Sequence, residues 1–334
     1  MGQLLRAKDT GMPESNDSWD FFAALDSSNY QGAYVCKPIG SLGIAFVTKD
    51  QLNRPLFLVQ DDAGIRKPNL ELENVHVEYG LQCRITDEVT TSSGVFTAIT
   101  CTNADIALQE LFVRCFSDML VHWSSTVVGS EVDKHIRSLV ELFRGLGRPN
   151  LKGIRGLWAE LNLIASCKRQ EIVLRAWHAD PKDIFDFSFP GFHVEVKSSD
   201  SADRVHHFSL QQIRPVDGDR VYVVSSLLQS NPSGTSVIEL TERISAQVAR
   251  DPNLREKLWR NVFATLGSEI RAAKISRFSE EYARNQLQVC DAVDLPWYST
   301  PAPPGVLDIN ARIAFSSVTP GSILKFGELE TLFT

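Results

Sequence analysis

Apolar and polar positions alternate through Asp183-Ile184-Phe185-Asp186-Phe187-Ser188-Phe189-Pro190-Gly191-Phe192-His193-Val194-Glu195-Val196-Lys197. The pattern predicts a β-hairpin whose turn is Pro190-Gly191. Strand side chains alternate between faces, so Phe185, Phe187, Phe189, Phe192, Val194 and Val196 are expected on one face. Asp186, Ser188, His193, Glu195 and Lys197 are expected on the other. A two-residue turn sets Phe189 against Phe192, Ser188 against His193, Phe187 against Val194 and Asp186 against Glu195.

The same reading extends along the chain. Residues 1–18 are polar, and Ser18 to Leu25 predicts a short amphipathic helix. Strands are expected at Ile44–Val47, Pro55–Val59, Val75–Tyr79 and Val95–Thr100, separated by turn-rich pieces. Leu108, Leu111, Phe112, Cys115, Phe116 and Leu120 then recur at helical spacing. A second helix is expected on Ile136, Leu139, Val140 and Phe143. Gly145 to Asn150 breaks the pattern. Beyond it come a helix over Ile154–Cys167, with Leu157, Leu161 and Ile164 buried and Glu160 beside them, and a strand over Glu171–His178. The hairpin follows, then a polar loop over Ser198–Arg204, a short helix over Phe208–Ile213 and a buried strand over Val221–Leu228. Gln229 to Thr235 is turn-rich. The remainder reads as helices over Val237–Arg250, Leu254–Leu266 and Phe278–Val289, with closing strands at Val306–Phe315 and Ser322–Phe326. The predicted architecture is α/β. Residues 1–145 form a β-rich, then helical, N-terminal region, and 146–230 a core with a mixed sheet flanked by helices. Residues 231–334 form a mainly helical C-terminal region with closing strands.

Composition narrows the class. The chain has 334 residues, 43% of them hydrophobic, which is ample for a core. No run of 18 apolar residues predicts a membrane helix. The N-terminus has no apolar leader, and Arg6 breaks a myristoylation pattern. Six scattered cysteines with no CxxC pair indicate free thiols in a reducing cytoplasm. The net charge of −7 opposes coating of nucleic acid by bulk charge. A DNA enzyme with this balance needs a local basic groove or a partner.

Chemistry concentrates on the hairpin. Directly opposed residues of a strand pair have Cβ atoms ~5 Å apart, and like charges there repel. Asp186 against Glu195, with Lys197 ~7 Å along the same strand face, therefore invites a cation. Mg²⁺ fits, because it takes hard oxygens from one or two carboxylates and keeps several waters; Mn²⁺ is a candidate substitute. Asp186 and Glu195 are the candidate ligands, with the Val196 carbonyl. Lys197 is placed to orient an attacking water or to offset phosphate charge. Asp183 competes with Asp186 but alternates to the opposite face. His206 and His207 are candidate bases or ligands, or capping and surface residues. His178 is a candidate supporting group, and His193 shares the Glu195 face near the turn. Basic residues cluster at Arg144, Arg148, Lys152 and Arg155, with Lys168 and Arg169 beyond, and at Arg271, Lys274, Arg277 and Arg284. Either cluster suits phosphates or a solvated helix face.

The spacing Asp186–x8–Glu195-Val196-Lys197, after a helix that carries Glu160, resembles the PD-(D/E)XK nuclease superfamily. Further features are similar to a bacterial group of PD-(D/E)XK motif proteins that accompanies restriction and phage-defence components. These are Gly156-Leu157-Trp158-Ala159-Glu160-Leu161, Trp177-His178, Asp186-Phe187-Ser188-Phe189, Glu195-Val196-Lys197-Ser198-Ser199 and Arg204 to Gln212. The motifs cover about residues 153–213. The proline before the family's aspartate is absent; Phe185 stands there. The resemblance implies a restriction-endonuclease-like core and Mg²⁺-dependent DNA endonuclease activity. Asp186, Glu195 and Lys197 would stand as the catalytic set, Glu160 as a further metal ligand, and Gln211 or Gln212 as an accessory group, with His207 another candidate. It also implies a role in a restriction or antiviral defence system, as a homodimer or beside a helicase-like ATPase. The alternative is a non-catalytic subunit that binds DNA or a partner through the same fold.

Overall fold

The computed structural model describes residues 15–26, 33–40, 42–60, 68–72, 74–86, 90–121, 137, 153–178, 183–213, 218–267, 269–296, 309–318, 321 and 327–333. The chain forms two compact units, Met1–Arg144 and Gly145–Thr334. In the first, α1 (Ser15–Ala24) precedes β1 (Tyr34–Val35), β2 (Lys37–Ile39), β3 (Ala45–Lys49), β4 (Pro55–Gln60), β5 (Leu70–Glu71), β6 (Val75–Thr86) and β7 (Thr91–Cys101). These make a seven-stranded sheet in the order β1-β6-β7-β4-β3-β2, with β5 beside β6. Helix α2 (Ile106–Leu120) starts where the Asp105 side chain accepts the Ala107 N–H, satisfying a donor the helix leaves open. Phe112 and Phe116 lie one turn apart, their rings 4.3 Å from each other and 5.5 and 5.3 Å from Phe57 of β4. The expected helix on Ile136 to Phe143 and the break at Gly145–Asn150 lie outside the described residues, as do Arg144, Arg148 and Lys152.

The second unit opens with α3 (Ile154–Ser166). It is buried well beyond the expected stripe, with Trp158, Ala159 and Leu163 enclosed beside Leu157, Leu161 and Ile164. The segment expected as a strand over Glu171–His178 is instead a helix, α4 (Gln170–Ala176). Its buried residues, Val173, Leu174 and Ala176, with Trp177 just past its end, recur at one-turn spacing. Only Trp177 behaves as a strand, bridging Phe187 antiparallel.

The hairpin forms in the expected register. Strands β8 (Phe187–Phe189) and β9 (Phe192–Ser199) pair Phe187 with Val194, Ser188 with His193 and Phe189 with Phe192. Gly191 has φ +84°, which suits the second central position of a type II turn after proline. After it come β10 (Val205–Ser209), α5 (Leu210–Ile213), β11 (Arg220–Leu227), β12 (Ser230–Ser236), α6 (Val237–Gln247), α7 (Pro252–Leu266), α8 (Ile270–Ile275), β13 (Arg277–Phe278), α9 (Glu280–Asn285), β14 (Gln288–Asp291), β15 (Asn310–Ala314) and α10 (Gly327–Phe333). The central sheet runs β14-β11-β9-β8. It is mixed: β9 and β11 are parallel, whereas β14 and β8 join antiparallel. Helix α3 packs on β9, and α6 and α7 pack on α3.

Further expectations change in this unit: Phe208 and Ser209 close strand β10, and only Leu210–Ile213 of the expected Phe208–Ile213 helix is helical. Gln229 to Thr235 is mostly strand β12, which pairs with β13. Phe278 to Val289 is a strand, a short helix and a strand rather than one helix. Strands β14 and β15, from the region beyond residue 230, pair with β11 and β10, so that region is built into the core sheet and its small partner. The segment Ser322–Phe326 lies outside the described residues.

Candidate metal centre

Helix α3 and the end of α4 bring the first group together. Glu160 sits on α3 with 2% exposure, and Asp186, just before β8, has 5%. Trp177 Nε1 donates to Glu160 Oε2 at 2.8 Å, and His178 Nε2 lies 3.0 Å from the same oxygen. One donor atom each from Glu160, His178 and Asp186 falls within 4.8 Å of the other two. The backbone fixes this arrangement. The His178 N–H donates to the Asp186 carbonyl at 2.9 Å, and His178 holds φ +42°, a left-handed conformation uncommon for a residue with a side chain.

Asp186 also ties this group to the hairpin, since its Oδ2 accepts the Val196 N–H at 2.8 Å. Two residues of β9 carry the second group. Lys197 Nζ lies 2.6 Å from Glu195 Oε1, and Gln212 Nε2 donates to that oxygen at 2.6 Å. Lys197 also donates to Gln212 Oε1 at 3.4 Å and lies 5.1 Å above the Phe208 ring. A hydrogen-bonded, half-enclosed ammonium of this kind is held in one place rather than sampling solvent.

The face that carries Glu195 is covered. Val221 and Val223, the parallel-strand partners of His193 and Glu195, join Phe185, Phe208, Ile213, Ile313 and Phe315 in one apolar cluster. Phe185 was expected on the Phe187 face, but its ring stacks on His193 at 4.3 Å. The alternation fails there because β8 begins only at Phe187.

Behind Lys197 lies a buried polar knot. His206 Nε2 is 2.8 Å from Ser225 Oγ, and Arg204 donates to the Ser225 carbonyl and hydroxyl, each at 3.0 Å. Burial pushes the His206 pKa down to about 4, and the charges of Lys197, Arg204 and His207 push the same way. His206 is thus a neutral core residue.

Of the sequence candidates, Glu160 and Asp186 fall in the first group and Glu195, Lys197 and Gln212 in the second, with the Val196 backbone between them. Asp183 is not a member of the Glu160–His178–Asp186 cluster, and its charge acts on Lys257, raising that pKa. Gln211 is exposed on α5, and His207 is exposed on β10 opposite Arg312; neither contacts either group among the described contacts. Arg155 pairs with Asp200 at 2.6 Å, and Arg277 with Glu239 at 2.7 Å. Nothing local in the sequence signals the clamp that Trp177 places on Glu160, because the two belong to different elements and meet across 17 residues. Lys257 was also missed. Burial, chiefly, with Arg260 and Arg175, lowers its pKa to about 8.

The family model described as "Putative PD-(D/E)XK family member, (DUF4420)" matches residues 15–308. The chain belongs to this family. No curated protein and no solved structure matches it. In the family's terms, the mixed sheet with its flanking helices is a restriction-endonuclease-like core. The buried carboxylates fit a divalent cation, because two such groups within 4.8 Å of each other need a positive partner to offset their desolvation. Among the described residues no helix is long and apolar enough to cross a membrane.

Proposed function

We propose that this chain is a metal-dependent DNA endonuclease. The observation that carries the reading is the link through Asp186. Its carboxylate stands among Glu160 and His178 and also accepts the Val196 N–H, one residue from both Glu195 and Lys197. That link supports reading the PD-(D/E)XK residues of the chain as one site. Asp186, Glu195, Glu160 and the Val196 carbonyl would hold Mg²⁺, with Mn²⁺ able to replace it. When bound, such an ion supplies Lewis acidity and lowers the pKa of a bound water. Lys197 would orient that water or offset charge on the phosphate. Gln212 and Glu195 hold its amino group in place, and burial of the Val196 side excludes bulk water from one flank.

A net charge of −7 leaves little general attraction for a polyanion. In this reading a second copy of the chain, or a helicase-like ATPase and further defence subunits, supplies the affinity. The proposed setting is a restriction or antiviral system in the cytoplasm. The test is cleavage of plasmid and linear DNA in Mg²⁺ or Mn²⁺, with and without ATP and the partner. Asp186→Ala is expected to abolish cleavage, and Lys197→Ala to lower it by ~10²–10⁴-fold, the usual worth of a positioned acid–base group. Full cleavage by both variants would remove the assignment and leave a DNA- or partner-binding subunit as the better description.

A further inference from the structure

The all-oxygen ligand set above leaves out the imidazole that stands beside it. His178 is held on both sides. Its ring packs near Trp177, with centroids 5.3 Å apart, and its backbone N–H is fixed on the Asp186 carbonyl. Its side chain is 22% exposed, beside a Glu160 side chain that is only 3% exposed. Trp177 Nε1 and His178 Nε2 converge on one oxygen, Glu160 Oε2, at 2.8 and 3.0 Å. The indole can only donate, so it fixes the carboxylate. The imidazole can donate or, at an unprotonated Nε2, bind a metal.

We propose that His178 is a nitrogen ligand of the ion that Glu160 and Asp186 bind, and that the centre therefore favours Mn²⁺ or another first-row transition ion over Mg²⁺. The inference rests on the metal-nuclease reading and refines which ion that site takes. Spacing supports it. Adjacent ligands of an octahedral ion at ~2.1 Å stand about 3.0 Å apart, the separation of His178 Nε2 from Glu160 Oε2. The third donor, from Asp186, lies within 4.8 Å of both, a range that takes in the ~4.2 Å between opposite ligands of such an ion. Chemistry supports it as well. Magnesium keeps oxygen ligands and its waters, whereas imidazole favours the transition ions. Trp177 then acts as the outer partner that orients a metal-bound carboxylate, a role outer groups commonly fill.

The competing account is a His178 whose Nε2–H merely donates to Glu160. Pulsed electron paramagnetic resonance of the full chain loaded with Mn²⁺ separates the two, because a bound imidazole imprints a ¹⁴N coupling that changes with ¹⁵N-histidine labelling. The expected result is that coupling in the wild type, its loss in His178→Gln, and Mn²⁺ affinity at least ten-fold weaker by titration calorimetry. His178→Asp is expected to restore an all-oxygen set and to reduce the ratio of Mn²⁺ to Mg²⁺ affinity. Mn²⁺ bound at a site abolished by Asp186→Asn, but without nitrogen coupling, would overturn the assignment of His178 while leaving the nuclease reading in place. Absence of Mn²⁺ binding, or binding indifferent to Asp186→Asn, would remove the metal reading together with this refinement.

Discussion

Gln212 holds two members of the candidate site at once. Its amide donates to Glu195 Oε1 and accepts from Lys197 and the Ser209 N–H. Hydrogen bonds to charged groups contribute about 1.5–3 kcal/mol, so Gln212→Ala is expected to slow DNA cleavage by ~10–100-fold. Gln211→Ala, at an exposed neighbour, is expected to leave it unchanged, and comparing the two turnover rates checks this. His206 gives a second expectation at this scale. Its folded-state pKa lies near 4, below the ordinary 6.5, so between those values the unfolded chain binds the extra proton. Stability from this group is therefore complete above about pH 6.5 and is lost as pH falls toward 4, by an amount on the order of 3 kcal/mol at most. Chemical denaturation at pH 7.5 and pH 5 is expected to show a smaller pH loss in His206→Gln than in the wild type; equal losses would place the titration elsewhere.

Among the elements, the hairpin was the most legible in the sequence, because a period-two pattern and a Pro-Gly turn specify register locally. Pairing of Phe187 with Val194 and Ser188 with His193 follows from those fifteen residues alone. Helix α4 was not legible. The run Glu171 to His178 is short and rich in apolar residues, and such runs suit strand or helix equally. Contact with α3, α7 and α10 decides for helix. Glu160 could be placed beside the buried side of its helix, but not against Trp177 and His178, because nothing within one element encodes that meeting. The covered Glu195 face was also hidden, since Ile313 and Phe315 arrive from more than a hundred residues away. The turn itself yields a prediction. Gly191 adopts φ +84°, and a Cβ there would meet nothing within 4 Å, so any cost of substitution is conformational. Gly191→Ala is expected to destabilise by ~1–2 kcal/mol, measured as a lower urea midpoint with an unchanged slope. A stability equal to wild type would mean that the turn tolerates another geometry.

At the scale of the whole molecule, the proposed catalytic residues fall within 160–212, yet the structure that holds them extends to the end of the chain. Strand β14 completes one edge of the central sheet, and β15 pairs with β10, whose Phe208 lies under Lys197. Helices α6 and α7 cover α3. Trp158 reaches the Thr235 carbonyl, Arg175 pairs with Asp251, and Arg204 bonds the Gln286 carbonyl. Cutting after residue 230 removes Val237, Leu240, Ile244, Leu258, Trp259, Val262 and Phe263, all buried. Each contributes roughly 1.5–3 kcal/mol by leaving water, and a domain of this kind is stable by only about 5–15 kcal/mol in total. The cut also exposes the apolar side of α3. A fragment 146–230 is therefore expected to retain the D…E-x-K motif and lose its fold, with no cooperative thermal transition by circular dichroism. Residues 145–334 are expected to melt as one cooperative unit, because the sheet, its edge strand and the helices over α3 are shared between both ends of that segment. A cooperative transition in the shorter fragment would show that the motif region folds without the strands contributed from beyond residue 280, and the site would then owe its geometry to local sequence alone.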